Sequence, residues 1–114
     1  MQIIISGRHF TVADEMKKHI IDKLSDILDS KSLKVSTVRV VLELEKTRNK
    51  VEIVVNLKHN DIETIVEGYD MQEAVDAAIN KIDVQVRRFL DKVQDHHGKK
   101  KIELAADGDD SGEE

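Results

Sequence analysis

Lys81, Gln85, Arg88 and Lys92 follow one another at intervals of four, three and four residues. At 100° per residue this spacing sets all four on one flank of a helix, roughly 220° to 280° around from Val75, along a line of about 16 Å. Glu73, Asp76, Asp83 and Asp91 gather on the other flank at roughly 80° to 160°, and Arg87, which falls among them, can pair with Asp83 or Asp91. A row of cations without carboxylates beside it is suited to contact successive phosphates of a nucleic-acid backbone. An ordinary solvated helix face gives the same pattern, so the rail alone does not decide. Lys17 and Lys23, which border the apolar stripe of an upstream helix, and Lys46, Arg48 and Lys50 in a polar turn add positive charge beyond one helix and move the reading toward binding.

Other chemistry finds little support. There is no cysteine, the serines fall in turns or beside charged residues, and no G-x-S-x-G, P-loop or G-x-G-x-x-G pattern occurs. Carboxylates are abundant, but paired acid and base roles need a cleft that raises one pKa, and a small packed domain offers no sign of one. His9, His19 and His59 are far apart in the chain, and the adjacent His96 and His97 lack the i, i+4 spacing with which a helix chelates a metal. A binding protein without catalysis, cofactor, metal or small-molecule substrate is therefore expected.

The chain has 114 residues, no proline or tryptophan and only three aromatics, Phe10, Tyr69 and Phe89, and 36% of it is charged. One domain is the natural reading of that length. No apolar run approaches the roughly 18 residues of a membrane span and the start lacks a signal-peptide pattern, so a cytoplasmic protein with no membrane partner is expected. The formal charge of −5 speaks against a nucleic-acid partner only on average, because six acids and no base occupy the last twelve residues and the first 102 carry +1.

These functional residues need elements to hold them. Gln2 to Ser6, closed by Gly7, is β-branched and short, which predicts a first strand with little access to water. Thr11 and Asp14 resemble a capping box ahead of helical spacing through Met16, Ile20, Leu24 and Leu28, which predicts a helix from about Val12 to Leu28. The pattern breaks around Ser30-Lys31-Ser32. Period-two runs from Val38 to Leu44, Val51 to Leu57 and Ile62 to Glu67, separated by Lys46-Thr47-Arg48-Asn49 and His59-Asn60-Asp61, predict a three-strand antiparallel meander. Gly68 ends it. Asp70 then caps a long helix with one apolar stripe from Met71 through Val75, Ile82 and Val93, ending near Asp95.

The order β-α-β-β-β-α defines an α+β two-layer sandwich: a four-stranded sheet with the first two strands parallel and both helices on one face. Residues 1–97 are read as this domain and 98–114 as a disordered tail, basic and then acidic. The other sheet face is mostly polar around Val41, Val54 and Ile65. If RNA is the partner, the near-absence of aromatics on the strands argues against base stacking there and favours recognition of shape and phosphate.

Four stretches resemble the ribosome hibernation factors, also called ribosome-associated inhibitors or sigma-54 modulation proteins. They are Met1-Gln2-Ile3-x-Ile5-x-Gly7, the pattern from Thr11 through Lys17 and Lys23, Val51-Glu52-Ile53-Val54-Val55, and Glu67-Gly68-x-Asp70-Met71-x-x-Ala74-Val75-Asp76 leading to Lys81 and Gln85. Together they span nearly all of residues 1–95. The resemblance implies the same architecture, similar to double-stranded-RNA-binding domains, and a stress or stationary-phase repressor that occupies the messenger and tRNA channel of the small ribosomal subunit. On this resemblance the rRNA contacts fall at Lys17, Lys23, Lys81, Gln85, Arg88 and Lys92.

The chain also departs from that family. Gln72 stands where an aromatic is often found, and Val84 and Leu90 where a basic residue is common; the latter two remove positive charge and imply weaker, less salt-dependent binding. Without the extra C-terminal domain of the long forms, the protein is expected to be monomeric off the ribosome and unable to pair ribosomes alone. The competing reading is a regulatory protein-binding domain that uses the sheet face around Val41, Val54 and Ile65.

Overall fold

The computed structural model of the chain describes residues 1–29, 34–58 and 60–94. Six elements follow one another: β1 (Gln2–Arg8), α1 (Asp14–Asp29), β2 (Val35–Glu45), β3 (Arg48–Leu57), β4 (Asp61–Gly68) and α2 (Met71–Gln94). The strands form one sheet in the order β1-β2-β3-β4, with β1 parallel to β2 and the other neighbours antiparallel. Residues 95–97 of the expected domain, the expected tail at 98–114, and the histidines His59, His96 and His97 lie outside the described residues, as does the break at Ser30-Lys31-Ser32.

Alternation explains which side of the sheet the helices cover. Val38, Val40 and Leu42 of β2, Val51, Ile53 and Val55 of β3, and Ile62 of β4 point to one face, where they are buried with Ile20, Leu24 and Leu28 of α1 and Val75, Ile79, Ile82 and Val86 of α2. Each helix hides its stripe only by packing on this face, so the sheet and the two helices make a single core. Burying so many branched aliphatic side chains, at about 1.5–3 kcal/mol each relative to exposure, is the main source of stability in a chain with few aromatics.

The opposite face is ordered in rows by the strand register. One row runs Arg8, Glu43, Lys50, Glu67, alternating in sign across all four strands. The next rows run Ser6, Val41, Glu52, Ile65 and Ile4, Arg39, Val54, Glu63. Ile4 and Ile65 are exposed while Val41 and Val54 are half-buried. The apolar island is thus wider than the three residues read from the pattern.

Three sequence expectations shift. β1 is an edge strand paired only with β2, so Ile4 reaches solvent and Ile3 and Ile5 are only half-buried, rather than the whole strand being withdrawn from water. α1 begins at Asp14 rather than Val12, because its first hydrogen bond runs from the Lys17 amide to the Ala13 carbonyl, and Thr11 precedes the cap. Asp14 and Glu15 then occupy the first turn, where the positive end of the helix dipole favours them. The strands β2 and β3 extend to a two-residue turn, Lys46-Thr47, with Lys46 at φ 24°.

Gly7 has a specific reason. A Cβ there would run into the backbone carbonyl of Phe10 and crowd Val12 Cγ2, because the chain folds back closely after β1. His9 carries the left-handed turn of that fold-back, with φ 54°.

Candidate nucleic-acid interface

α2 positions the cationic rail. It is opened by Asp70, whose carbonyl accepts the Ala74 amide at 2.9 Å, and its apolar stripe locks it over β3 and β4. With that stripe against the sheet, Lys81 and Arg88 project to solvent and Gln85 is half-buried beside them. Neither Lys81 nor Arg88 makes an ion pair among the described residues. Lys92 lies in the last turns of α2, and its side chain falls outside the described residues. Arg87 behaves differently: its Nε donates to Asp83 Oδ1 at 3.1 Å, one turn back, so this charge is neutralised locally.

The acidic flank of α2 turns toward α1. His19 Nε2 lies 2.8 Å from Asp76 Oδ1, and Gln72 Nε2 donates to the same carboxylate at 3.3 Å. The His19 hydrogen bond holds the Asp76 carboxyl below its ordinary pKa against the opposing effect of burial, with smaller help from Gln72 and from the charges of His19 and Lys23. Lys23 is therefore close to Asp76, on the α1 side of α2. Around α1, Lys23 lies about 40° from His19 and Lys17 about 160° from it, so the flank of α1 facing α2 carries Lys23 and not Lys17. The structure brings Lys81, Gln85 and Arg88 together, and it sets Lys23 across the acidic flank from them, with Lys17 farther round.

Lys46, Arg48 and Lys50 stand at the end of the sheet. Arg48 Nη1 donates to Glu67 Oε1 at 3.1 Å, and Lys50 is held in the alternating row between Glu43 and Glu67. Of the two helix positions where the sequence loses a cation, Val84 is exposed and Leu90 is half-buried against the core. Leu90 has taken up a packing role there.

Two residues escaped the sequence reading. Sequence spacing presents His19 only as an isolated histidine unsuited to a metal, whereas in the structure it joins the helices; among the described residues no group of three His, Cys, Asp or Glu side chains could hold an ion. Tyr69, the only tyrosine, is 80% exposed between the end of β4 and the cap of α2. Its position between Gly68 and the capping Asp70 was the available signal. Among the described residues no helix is long and apolar enough to cross a membrane.

Residues 3–94 match the sequence profile of the family described as Sigma 54 modulation protein / S30EA ribosomal protein. The chain belongs to this family. Among curated relatives, the ribosome hibernation promoting factor of Pseudomonas putida is 31% identical over 94 residues, covering 82% of this chain and 91% of that protein. The factor of the same name from Escherichia coli K12 is 26% identical over 96 residues, covering 84% of this chain and all of that protein. Among solved structures, the N-terminal domain of Thermus thermophilus Protein Y superposes with a TM-score of 0.70 at 27% identity, covering 78% of this chain and 99% of that one. A ribosomal subunit interface protein from Coxiella burnetii, 21% identical, shares the fold with a TM-score of 0.73 over 81% of this chain and all of that one.

Proposed function

We propose that this protein is a ribosome hibernation factor: a regulator, not an enzyme, that binds the small ribosomal subunit in the cytoplasm and silences translation by occupying the messenger and tRNA channel. The observation that carries the rRNA contact is the contrast on α2 between Arg87, paired with Asp83, and Lys81 and Arg88, which project without an ion-pair partner among the described residues. Unpaired cations release the counterions of RNA phosphates on binding, whereas a locally paired cation has to give up its carboxylate first. Gln85 supplies a neutral donor between them, and Lys92 continues the line. Lys23 on α1 is separated from this line by Asp76 and its neighbours, and Lys17 stands farther round α1, so the α1 cations are assigned phosphate contacts apart from those of the α2 rail. Membership of the family and the names of the relatives support the ribosome as the partner.

Co-sedimentation with small subunits and whole ribosomes over a salt series, with and without messenger and initiator tRNA, tests this reading. Binding that weakens steeply with salt and is displaced by both competitors is the expected result. Binding that is indifferent to salt favours the second reading, in which a protein docks on the open sheet face. The exposed Ile4 and Ile65 flanking Val41 and Val54 are the observation behind that alternative.

A further inference from the structure

The end of the sheet that carries the β2–β3 turn has features the helical rail does not explain. Register brings three loops together there: Arg8 and His9 leave β1, Lys46-Thr47 join β2 to β3, and Gly68 and Tyr69 lead from β4 into α2. Tyr69 is the most exposed large hydrophobic side chain among the described residues, at 80%. It lines a shallow depression of about 260 Å³ together with Arg48, Glu67 and Gly68. The Arg48 guanidinium in that depression donates from Nη1 to Glu67 Oε1 at 3.1 Å. Arg48 also borders a second hollow, lined by His9, Lys46 and Thr47 and by the acids Glu43 and Glu45.

We infer that Tyr69 and Arg48 form a stacking site for one unpaired RNA base at this end of the sheet. A phenol ring and a guanidinium are both side-chain surfaces on which a base stacks, and here both border one depression, with the guanidinium bonded to Glu67. Glu67 leaves a carboxylate oxygen at the edge of the site that can accept from a base amino or imino group. The local charge is nearly balanced: Arg8, Lys46, Arg48 and Lys50 stand against Glu43, Glu45 and Glu67. Stacking rather than phosphate attraction therefore carries the contact, and its salt dependence is shallow, unlike that of the α2 rail. The choice of RNA over another planar ligand rests on the ribosome reading above. The strands themselves carry no aromatic ring, and Tyr69 stands just beyond the end of β4.

The chain holds one tyrosine and no tryptophan, so its intrinsic fluorescence reports Tyr69 alone. The full-length protein is titrated with an unstructured hexaribonucleotide, with free tyrosinamide at the same absorbance as the control, and binding of variants is read by anisotropy of the labelled oligonucleotide. Saturable quenching that persists across the salt series is the expected result. Tyr69→Ala should weaken binding about five- to hundredfold, the range of one base-stacking contact, while Tyr69→Phe, which keeps the ring, retains it. Arg48→Gln should weaken it as well. A second arm uses ribosomes stripped of messenger: weaker co-sedimentation of Tyr69→Ala assigns the base to ribosomal RNA, and unchanged co-sedimentation together with quenching by the oligonucleotide assigns it to messenger. No quenching and unchanged ribosome binding overturn the site. Failure of the wild-type protein to co-sediment, with quenching intact, would instead remove the ribosome reading and leave the base site standing.

Discussion

His19 Nε2 and Asp76 Oδ1, 57 residues apart in the chain, meet at 2.8 Å and join the solvent side of α1 to that of α2. The pair is partly exposed, with a third to a half of each side chain open to water, so its net contribution to stability is modest, under about 1 kcal/mol. Its pH behaviour is more telling. Asp76 has a folded pKa below its ordinary value, chiefly through the His19 hydrogen bond. Its contribution is therefore present above the unfolded carboxylate pKa of about 3.9 and is lost as pH falls through the lower folded value. Urea unfolding from pH 6 downward should show an acid limb that Asp76→Asn flattens. A limb of unchanged slope in that variant would assign acid sensitivity to other carboxylates.

Gly7 offers a sharper test of local geometry. Its missing Cβ leaves room for the Phe10 carbonyl, and that oxygen belongs to backbone held between β1 and the first turn of α1. Gly7→Ala should destabilise the domain by about 1–3 kcal/mol, the usual cost of forcing an atom into filled space, and lower its Tm by several degrees. An unchanged Tm would mean that the β1–α1 connection yields freely.

Much of this fold was legible because its periodicities are clean. The β2, β3 and β4 alternation and the α2 stripe separate without conflict, and from them follow the meander, the shared helix face and a pairing of Arg87 with Asp83 or Asp91, of which the structure makes the first. What was not legible depends on tertiary placement. That β1 lies at the edge, exposing Ile4, follows from which strands pair and not from its own β-branched run. That Ala13 rather than Thr11 precedes the helix follows from the fold-back at Gly7 and His9. The rail at Lys81, Gln85 and Arg88 could be read from one helical wheel, but its separation from Lys23 required knowing that His19 turns the acidic flank of α2 toward α1. The exposure of Tyr69 beside Arg48 needed the strand register.

On the open sheet face, Glu52 and Glu63 lie on neighbouring strands, one row apart, and Asp61 is close to Glu63 along β4. The hydrogen bond with Glu52 raises the Glu63 pKa most, followed by desolvation and by repulsion from Glu52 and Asp61. A raised folded pKa means that this group favours the folded state below the unfolded carboxylate pKa and that the advantage is lost as pH rises through the folded value. At neutral pH the crowding of like charges remains. Glu63→Gln should therefore raise the denaturation midpoint at pH 7 and leave it unchanged or lower near pH 4. A midpoint shifted equally at both pH values would rule out charge as the cause.

Arg87 and Arg88 are adjacent in sequence and stand about 100° apart around α2, which gives them different work. Arg87 is bound to Asp83 one turn away, so Arg87→Gln should cost about 0.3–0.5 kcal/mol of stability and change ribosome binding little. Arg88 projects into solvent on the same flank as Lys81 without touching the core, so Lys81→Gln with Arg88→Gln should leave the Tm nearly unchanged. If both cations meet phosphates, the double variant binds ribosomes more weakly and the slope of log K against log salt shrinks by about two. Reversing the sign at these two positions and at Lys92 should weaken binding further. Equal salt slopes for the wild type and the Lys81, Arg88 double variant, with both proteins folded, would move the phosphate contacts off this flank of α2 and toward Lys17 and Lys23.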